Sequence, residues 1–503
     1  MPPLLTLPAI ASHPSRRFAL SVAETQDWLA SLPANNAVET GRCIAEQVTA
    51  LNRSRTPLRE RLVLTALLRD ATEQLLPDLD AQITGAHVPL QPKTRAVARL
   101  IDDLLSEFAY AYKLAVSELA QRWFRFGMAR RLHLPVTRAL QMLARRLILA
   151  HRIYAPAPPM VWLEMHQLFG IARQHHIGKL QLSGPQDSPL AIYREALTLS
   201  FAGPHKLMQG ELDVVLKFIS DNAELATFID AVPQDPVDGL FLIQPGRDAP
   251  GTAWGKRNTP KHAGKINAGE FVLNTSRLAD HASGRAEFEQ PAGAHDAGEA
   301  RLAPTGLMRR LERYWTGSAN RQYSRLRRQT RVDICVGLHG IWRFLSQSGP
   351  DGGIQTSEWM VNNESPGGFA LMHVSGPVES VQVGELLGVR SRDSDRVHIC
   401  VVRWVLSESP EHVELGLEEL APNAKPVSIA KLASSGRYEA DTKPGLLLPE
   451  IPALRRAAAI LALPGSLASA SEFHLAEPDQ RVRTTQLLEQ TLSLELYRFS
   501  TVN

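Results

Sequence analysis

Cysteines and long apolar stretches are scarce in this sequence, and both shortages limit what the protein can be. Only 3 Cys occur among 503 residues, at Cys43, Cys335 and Cys400, and no two of them have CxxC spacing. That count is typical of a reducing compartment, without a disulfide framework or a structural zinc. The sequence has no apolar run of about 18 residues, and prolines interrupt its N-terminal segment MPPLLTLPAI. We therefore predict a cytoplasmic protein without a signal peptide and without membrane insertion.

An excess of charge of one sign is also missing. Basic residues number 55 and acidic residues 52, which leaves a formal net charge of +3. Nucleic acid is therefore not expected as a partner. Lysine is scarce, at 11 of the 55 basic residues, so arginine carries most of the positive charge. The length and a hydrophobic content of 44% indicate a globular protein of about three domains.

The first half of the chain has the periodicity of helices. Two segments, 161–180 and 188–203, resemble the helix-turn-helix units of tetratricopeptide-type repeats, although no fixed period runs through the region. We predict an all-α helical domain over residues 1–232 and leave its repeat character open. The clearest amphipathic stripe, with apolar residues at steps of three and four, consists of Val97, Leu100, Ile101, Leu104, Leu105, Phe108 and Tyr112.

The second half changes to loops and strands. Residues 243–270 are rich in Gly, Pro, Ala and Lys, and residues 233–304 are predicted to form a linker or surface excursion with a strand at Gly239–Ile243 and a short helix near Leu278. Residues 305–429 contain short strand-like segments, the first alternating with period two from Val332 to Leu338. The later strands are predicted at Gly368–Val374, Leu386–Arg390, Val397–Trp404 and Val413–Leu417.

These segments predict a multidomain α+β fold. An N-terminal all-α helical domain precedes a small antiparallel β-barrel in residues 305–429 and a β-rich C-terminal segment in residues 430–503. The apolar runs of that last segment are short and separated by Pro and Gly. They fit either a second small barrel or an extension of the first.

Two short motifs accompany the first predicted barrel strand. An arginine-rich run just ahead of the strand contains RxxxR, and NxSxxG opens a later strand. Taken alone, the first motif fits a solvated basic helix and the second fits a turn. The residues concerned are Arg327 and Arg331, with Arg325 and Arg328 beside them, and then Asn363, Ser365 and Gly368.

Both motifs in this order, about one β-hairpin apart and followed by barrel strands, resemble the PilZ domain, a bacterial receptor module for cyclic di-GMP. The resemblance extends through VQVGELLGVRS and HICVVRW and covers Leu307 to Ile429. It implies a six-stranded antiparallel barrel and cyclic di-GMP as the ligand. It further implies a receptor that is not an enzyme and has no catalytic residue, no metal and no cofactor.

The residue types suit that ligand. A guanidinium fork can bond the adjacent O6 and N7 acceptors of guanine and can stack on a purine ring. Asn363 and Ser365 offer short hydrogen-bonding groups for the opposite side, and Gly368 lacks a Cβ that would block close backbone approach. Many PilZ sequences have Asp where this chain has Asn363, so guanine contacts there can differ. Leu326, directly before RxxxR, cannot bond a second guanine, which favours one ligand molecule per chain.

Other catalytic and metal-binding patterns fit the sequence less well. Glu195, Ala196 and Leu197 spell the name of the EAL phosphodiesterases, but Leu199 stands where that signature has Arg. No GGDEF signature, phosphate-binding GxxxxGK[ST] loop or HExxH is present. His175 and His176 lack a recognisable ligand spacing and are expected on a helix.

Two functions therefore remain open at the sequence level. The first is a cyclic di-GMP receptor that couples nucleotide binding to an unknown protein partner of the helical domain. The second is an interaction scaffold whose barrel no longer binds nucleotide and whose arginine-rich segment contacts acidic protein or nucleic acid. Intact RxxxR and NxSxxG favour the receptor.

Overall fold

The computed structural model describes eleven α-helices and sixteen β-strands, arranged as a helical domain with a small sheet and two closed barrels. The residues described are 5–10, 21–33, 35–85, 87–121, 127–184, 186–208, 210–230, 238–254, 266–288, 304–317, 326–346, 356–365, 367–376, 380–391, 396–431, 442–452, 456–468, 471–476 and 479–502.

The N-terminal domain is helical, as the sequence predicts, and its described residues contain eight α-helices. The predicted apolar stripe is buried along α4, where Phe108 and Tyr112 are among the largest fully buried side chains. Ser21 and Glu24 form a capping box that begins the first helix. Within the described residues, no helix combines the length and the apolar character needed to cross a membrane. The helices are α1 (Val22–Ala30), α2 (Ala37–Arg53), α3 (Leu58–Ala81), α4 (Pro92–Ala120), α5 (Met128–Arg152), α6 (Val161–Gln174), α7 (Pro189–Phe201) and α8 (Glu211–Asn222).

A small antiparallel sheet and two further helices pack on this domain. The predicted strand at Gly239–Ile243 corresponds to β2, and the predicted helix near Leu278 corresponds to α9. Trp315, at the end of α10, is fully buried and donates its indole N–H to the Thr198 carbonyl oxygen at 3.0 Å. The chain is thus anchored in the helical core shortly before the first barrel begins. The elements are β1 (Thr227–Ile229), β2 (Leu240–Ile243), β3 (Thr252–Ala253), β4 (Phe271–Asn274), α9 (Ser276–Phe288) and α10 (Pro304–Trp315), with sheet order β1-β4-β2-β3.

The first barrel is closed and antiparallel, with six strands in the order β10-β7-β6-β5-β8-β9. Its four later predicted strands are confirmed as β7 to β10, with ends shifted by a few residues. The strand predicted to reach Leu338 ends instead at Val336, because Gly337, with φ +79°, begins a helix there. The elements are β5 (Leu326–Val336), α11 (Gly337–Ser346), β6 (Ser357–Ser365), β7 (Gly368–Ser375), β8 (Leu386–Ser391), β9 (Val397–Ser407) and β10 (Val413–Ala421).

The C-terminal segment forms a second closed barrel rather than an extension of the first. Its strand order is β11-β12-β13-β16-β15-β14. Helix α11 packs between the barrels: Leu338 and Ile341 share a core with Leu446 and Leu461 of the second barrel. Trp342 of α11 also donates its indole N–H to the Val427 carbonyl oxygen at 3.0 Å. The strands are β11 (Lys425–Lys431), β12 (Lys443–Leu448), β13 (Ala459–Ala462), β14 (Glu472–Leu475), β15 (Gln480–Gln490) and β16 (Glu495–Thr501).

All three domains meet at residues 380–385, the described part of the β7–β8 connection, which we call the junction. Val381 exchanges two backbone hydrogen bonds, of 2.9 and 3.1 Å, with Val88 of the helical domain. From the other side, Thr491 and its neighbour Ser493 in the second barrel donate their hydroxyls to the Gly384 carbonyl oxygen at 2.8 and 2.7 Å.

Side chains of the helical domain complete the contact by entering the core of the first barrel. Tyr154 and Met208 belong to the same buried cluster as Leu371 and Leu387 of the barrel. The Tyr154 backbone also accepts a hydrogen bond from the Ser407 N–H at 2.9 Å. The barrel and the helical domain therefore share one continuous apolar core at this point.

Candidate functional site

The RxxxR arginines lie within a barrel strand. Arg327 and Arg331 belong to β5, which begins at Leu326. The expectation that they precede the first strand in a flexible segment is therefore wrong, because Arg327, Thr330 and Arg331 are themselves paired with β6. The chain between the motifs also contains α11 and is more than a simple hairpin.

The register of β5 and β6 brings the two motifs together. Arg327 lies directly opposite Asn363, and Cα atoms of such pairs are about 5 Å apart. Between Arg327 and Thr330 the strand contains a bulge with one extra residue, and β6 contains a matching irregularity between Val361 and Asn363. Bulges of this kind re-aim side chains next to binding sites.

Both arginines lie on the outer face of the barrel. Each arginine forms a cross-strand row with one residue of β6 and one of β7. On β7 the two row members, Ala370 and Met372, flank Leu371, which is fully buried in the barrel core. Residues next to a core-facing residue point outward, and the side chain of Arg331 is accordingly 55% exposed. The two rows, followed across β5, β6 and β7, are Arg327, Asn363 and Ala370, and Arg331, Met360 and Met372.

Arg331 is already engaged in an ion pair. Its guanidinium contacts the Glu358 carboxylate on β6 at 2.6 Å, and Ser375 of β7 donates its hydroxyl to the other oxygen of Glu358 at 2.8 Å. Sequence reasoning did not identify Glu358. The alternation of SEWMV places it on the outer face, but only the register shows that it lies diagonally across from Arg331.

The NxSxxG segment joins the two strands: Asn363 and Ser365 lie at the end of β6, and Gly368 begins β7. Ser365 donates its hydroxyl to the Gly368 carbonyl oxygen at 3.3 Å, which stabilises the connection itself. Gly368 is buried with φ +145°, and a Cβ there would lie 2.0 Å from the Leu417 carbonyl oxygen of β10. The lack of a side chain at Gly368 thus permits β7 to approach β10, and its close approach to a ligand remains a prediction.

The flanking positions differ in what can be said of them. Leu326 is 67% exposed beside the arginines, so an apolar surface borders the candidate site. The prediction of one ligand molecule per chain remains a prediction. Arg325 lies outside the described residues, and so does the side chain of Arg328.

The remaining sequence candidates lie elsewhere in the fold. Glu195 is on α7, in the helical domain and not in the barrel. His175 and His176 follow the end of α6, so the expectation that they lie on a helix is wrong. Among the described residues, no group of three or more His, Cys, Asp or Glu is placed to hold a metal ion.

Three family models match consecutive parts of the chain. Residues 23–234 match the N-terminal domain of the cyclic-di-GMP receptor FimW, residues 346–426 match its middle PilZ domain, and residues 428–502 match its C-terminal beta-barrel domain. The PilZ match includes the NxSxxG segment and begins after the two arginines of β5.

One curated relative is similar over most of its length. It is the cyclic-di-GMP receptor FimW of Pseudomonas aeruginosa, which is 23% identical over 514 aligned residues. The alignment covers 86% of this chain and 82% of the relative. The similarity therefore extends to the order of all three domains.

Proposed function

We propose that this chain, which is a PilZ-domain protein with an N-terminal helical domain, is a non-enzymatic receptor that binds cyclic di-GMP on the outer face of β5 and β6. The observation that carries the proposal is the register that sets Arg327 opposite Asn363 beside the exposed Arg331. The name of the Pseudomonas relative supports the same ligand. The three cysteines are free thiols, which supports a cytoplasmic location for the receptor.

The chemistry of the site matches the two parts of the ligand. Cyclic di-GMP carries two phosphates, and two arginines in one exposed surface supply charge-assisted bonds to them or to a guanine edge. Asn363 has both a donor and an acceptor for a base edge. Arg331 must leave Glu358 to bind, and because the Arg331 side chain is 55% exposed, solvent screening weakens this pair. The ligand can therefore outcompete Glu358.

The junction offers a route from this site to the helical domain. β8 pairs with β5 from Val332 onward, directly after Arg331, and β7 pairs with β6 beside Asn363. The connection between β7 and β8 is the junction, where Val381 bonds Val88 of the helical domain. We propose that ligand binding shifts β5 and β6 and that the junction transmits the shift, which changes how the helical domain meets a partner protein.

A scaffold that no longer binds nucleotide is the second candidate. It is favoured by the fact that the PilZ match begins at residue 346 and leaves out both arginines. The arginine-rich surface would then contact an acidic protein partner.

Calorimetric titration with cyclic di-GMP separates the two functions. We expect Arg327→Ala and Arg331→Ala each to lower the affinity by at least about 2 kcal/mol, or about 30-fold, because each removes charge-assisted bonds. Arg309→Ala is the matched control, since it removes an exposed arginine of α10 in the same basic run. A wild-type protein that takes up no nucleotide would favour the scaffold. Wild-type affinity in both β5 variants would place the binding site elsewhere.

A further inference from the structure

A long groove follows α5 across the helical domain. It consists of two cavities of about 430 and 450 Å³ that share Glu73, Arg145 and Ile148 as lining residues. We call it the α5 groove. It is bordered by α3 on one side and, along the first cavity, by α7 and α8 on the other.

The floor of the α5 groove is a helix face that is left partly uncovered. Residues at steps of three and four along α5 remain half-buried there, whereas residues such as Leu143 and Leu147 are buried. The lining residues of α5 run from Arg138 to Arg152, which is about 21 Å at 1.5 Å per residue. The half-buried stripe consists of Gln141, Ala144, Arg145, Ile148 and Arg152.

Most charges along the α5 groove are paired within the domain. Arg145 and Glu73 form a two-fold ion pair across it, with one bond of 2.9 Å, and Arg152 contacts Asp213 of α8 at 2.7 Å. These pairs leave little net charge on the rim. A partner with a strong charge of either sign would gain little from them.

Glu195 is not among these pairs. No described residue hydrogen-bonds its carboxyl group, which lines the cavity between α5 and α7. Burial raises its pKa to about 7, Arg194 opposes the shift and Asp187 adds to it. The other charged groups that line this cavity are Arg69, Asp70 and Glu73 of α3 and Arg138 and Arg145 of α5. A half-buried carboxylate without a hydrogen-bond partner can gain a strong bond from a cationic group that enters the groove.

We propose that the α5 groove binds an amphipathic helix of a partner protein, whose apolar face covers Ile148 and whose single lysine or arginine reaches Glu195. A helix of about four turns matches the length of the groove, and helices pack on one another at 8–10 Å with side chains interlocked. The α5 groove would be the surface through which the receptor proposed above meets its partner protein. Only the regulation of this contact by nucleotide rests on that proposed function. Binding in the groove itself requires no ligand in the barrel.

Selection from a display library tests this directly. The library presents 16-residue helical peptides with a fixed apolar face and randomised positions elsewhere, and the bait is the full chain without nucleotide. We expect the enriched peptides to carry Lys or Arg at one position beside the apolar face. Fluorescence anisotropy of these peptides should show tighter binding at pH 8 than at pH 6, because Glu195 is ionised above its pKa of about 7.

Variants assign the binding to the groove. Ile148→Glu should weaken the selected peptides at least tenfold by placing a charge on the floor. Glu195→Gln should weaken them about tenfold at pH 8 and remove the difference between pH 8 and pH 6. The controls are Glu46→Gln, which removes an exposed carboxylate of α2, and Val63→Ser, which removes a 42% exposed apolar side chain of α3. Both should bind like wild type.

Several results would overturn the proposal. The selection could yield no peptide whose binding is sensitive to Ile148→Glu, or it could enrich acidic instead of basic peptides. Sedimentation could also show a dimer that Ile148→Glu dissociates, which would mean that a second copy of the chain occupies the groove. Arg327→Ala separates this test from the nucleotide proposal. It should retain peptide binding even where cyclic di-GMP binding is lost.

Discussion

At the scale of single residues, Glu358 competes with the ligand for Arg331. The carboxylate holds the guanidinium at 2.6 Å and places a negative charge beside the site of an anionic nucleotide. We expect Glu358→Gln to raise the affinity for cyclic di-GMP up to about fivefold, equivalent to about 1 kcal/mol, because the variant frees Arg331 and removes repulsion. Calorimetric titration measures the change.

A matched control exists in the second barrel. Glu472 pairs with Arg483 across two strands, and that arginine is 53% exposed, close to the 55% of Arg331. Glu472→Gln should leave nucleotide affinity unchanged. Weaker binding in Glu358→Gln would mean that Glu358 positions Arg331 for the ligand and does not compete for it.

At the scale of elements, the β6–β7 connection contains Gly368, which the barrel needs for stability, and Ser365, which it does not. Gly368→Ala should destabilise the barrel by roughly 3 kcal/mol, because its Cβ would meet the Leu417 carbonyl oxygen. Ser365→Ala should leave the barrel folded and weaken nucleotide binding only modestly, since it removes one hydroxyl. Thermal unfolding followed by circular dichroism measures stability, and titration measures affinity.

Gly340→Ala is the control, because a Cβ at Gly340 in α11 meets open space. A stable Gly368→Ala barrel that fails to bind would return this glycine to a ligand-contacting role.

The strands of the first barrel were predictable because alternation is a local property. Val397–Trp404 and Val413–Leu417 lie inside β9 and β10, which extend a few residues further. The bulges of β5 and β6 were not predictable, since they depend on which strand pairs with which. Helix α11 was missed because Leu338 continues the period of two from β5, although Leu338 and Ile341 are also spaced for a helix face.

At the scale of the whole molecule, Gly384 lies where the three domains meet. A Cβ there would approach the Met208 sulfur of the helical domain to 2.9 Å and Thr491 of the second barrel to 3.1 Å, and its φ is +89°. No sequence pattern could have shown this, because the contacts join positions more than 100 residues apart. The candidate site was largely predictable, because both of its motifs are short local patterns in the sequence. Only the register that pairs the two motifs could not be predicted.

Gly384→Ala should uncouple the domains without abolishing nucleotide binding. Calorimetric unfolding of the wild type with nucleotide at 100 times its Kd should show stabilisation of about 2.7 kcal/mol shared by the helical domain and the barrel. In Gly384→Ala we expect the ligand to stabilise the barrel transition alone. Gly246→Ala, at a position with no atom within 4 Å of the added Cβ, should behave like wild type. A shared shift in both variants would show that coupling bypasses the junction.

The uneven pairing of β5 affects how fast its first half opens and closes. Within the described residues, β5 pairs with β6 from Leu326 but with β8 only from Val332, so the arginine-bearing half of the strand has a ladder on one side alone. Such a half-strand can open without unfolding the barrel. Its amide protons should exchange with deuterium faster than those of Val332 to Val336 and slow down when cyclic di-GMP binds, as mass spectrometry of peptic fragments can show. Equal exchange along β5, with and without nucleotide, would contradict this. If the faster exchange is observed, the frequency of this brief local opening sets an upper limit on how fast the strand can respond to the nucleotide.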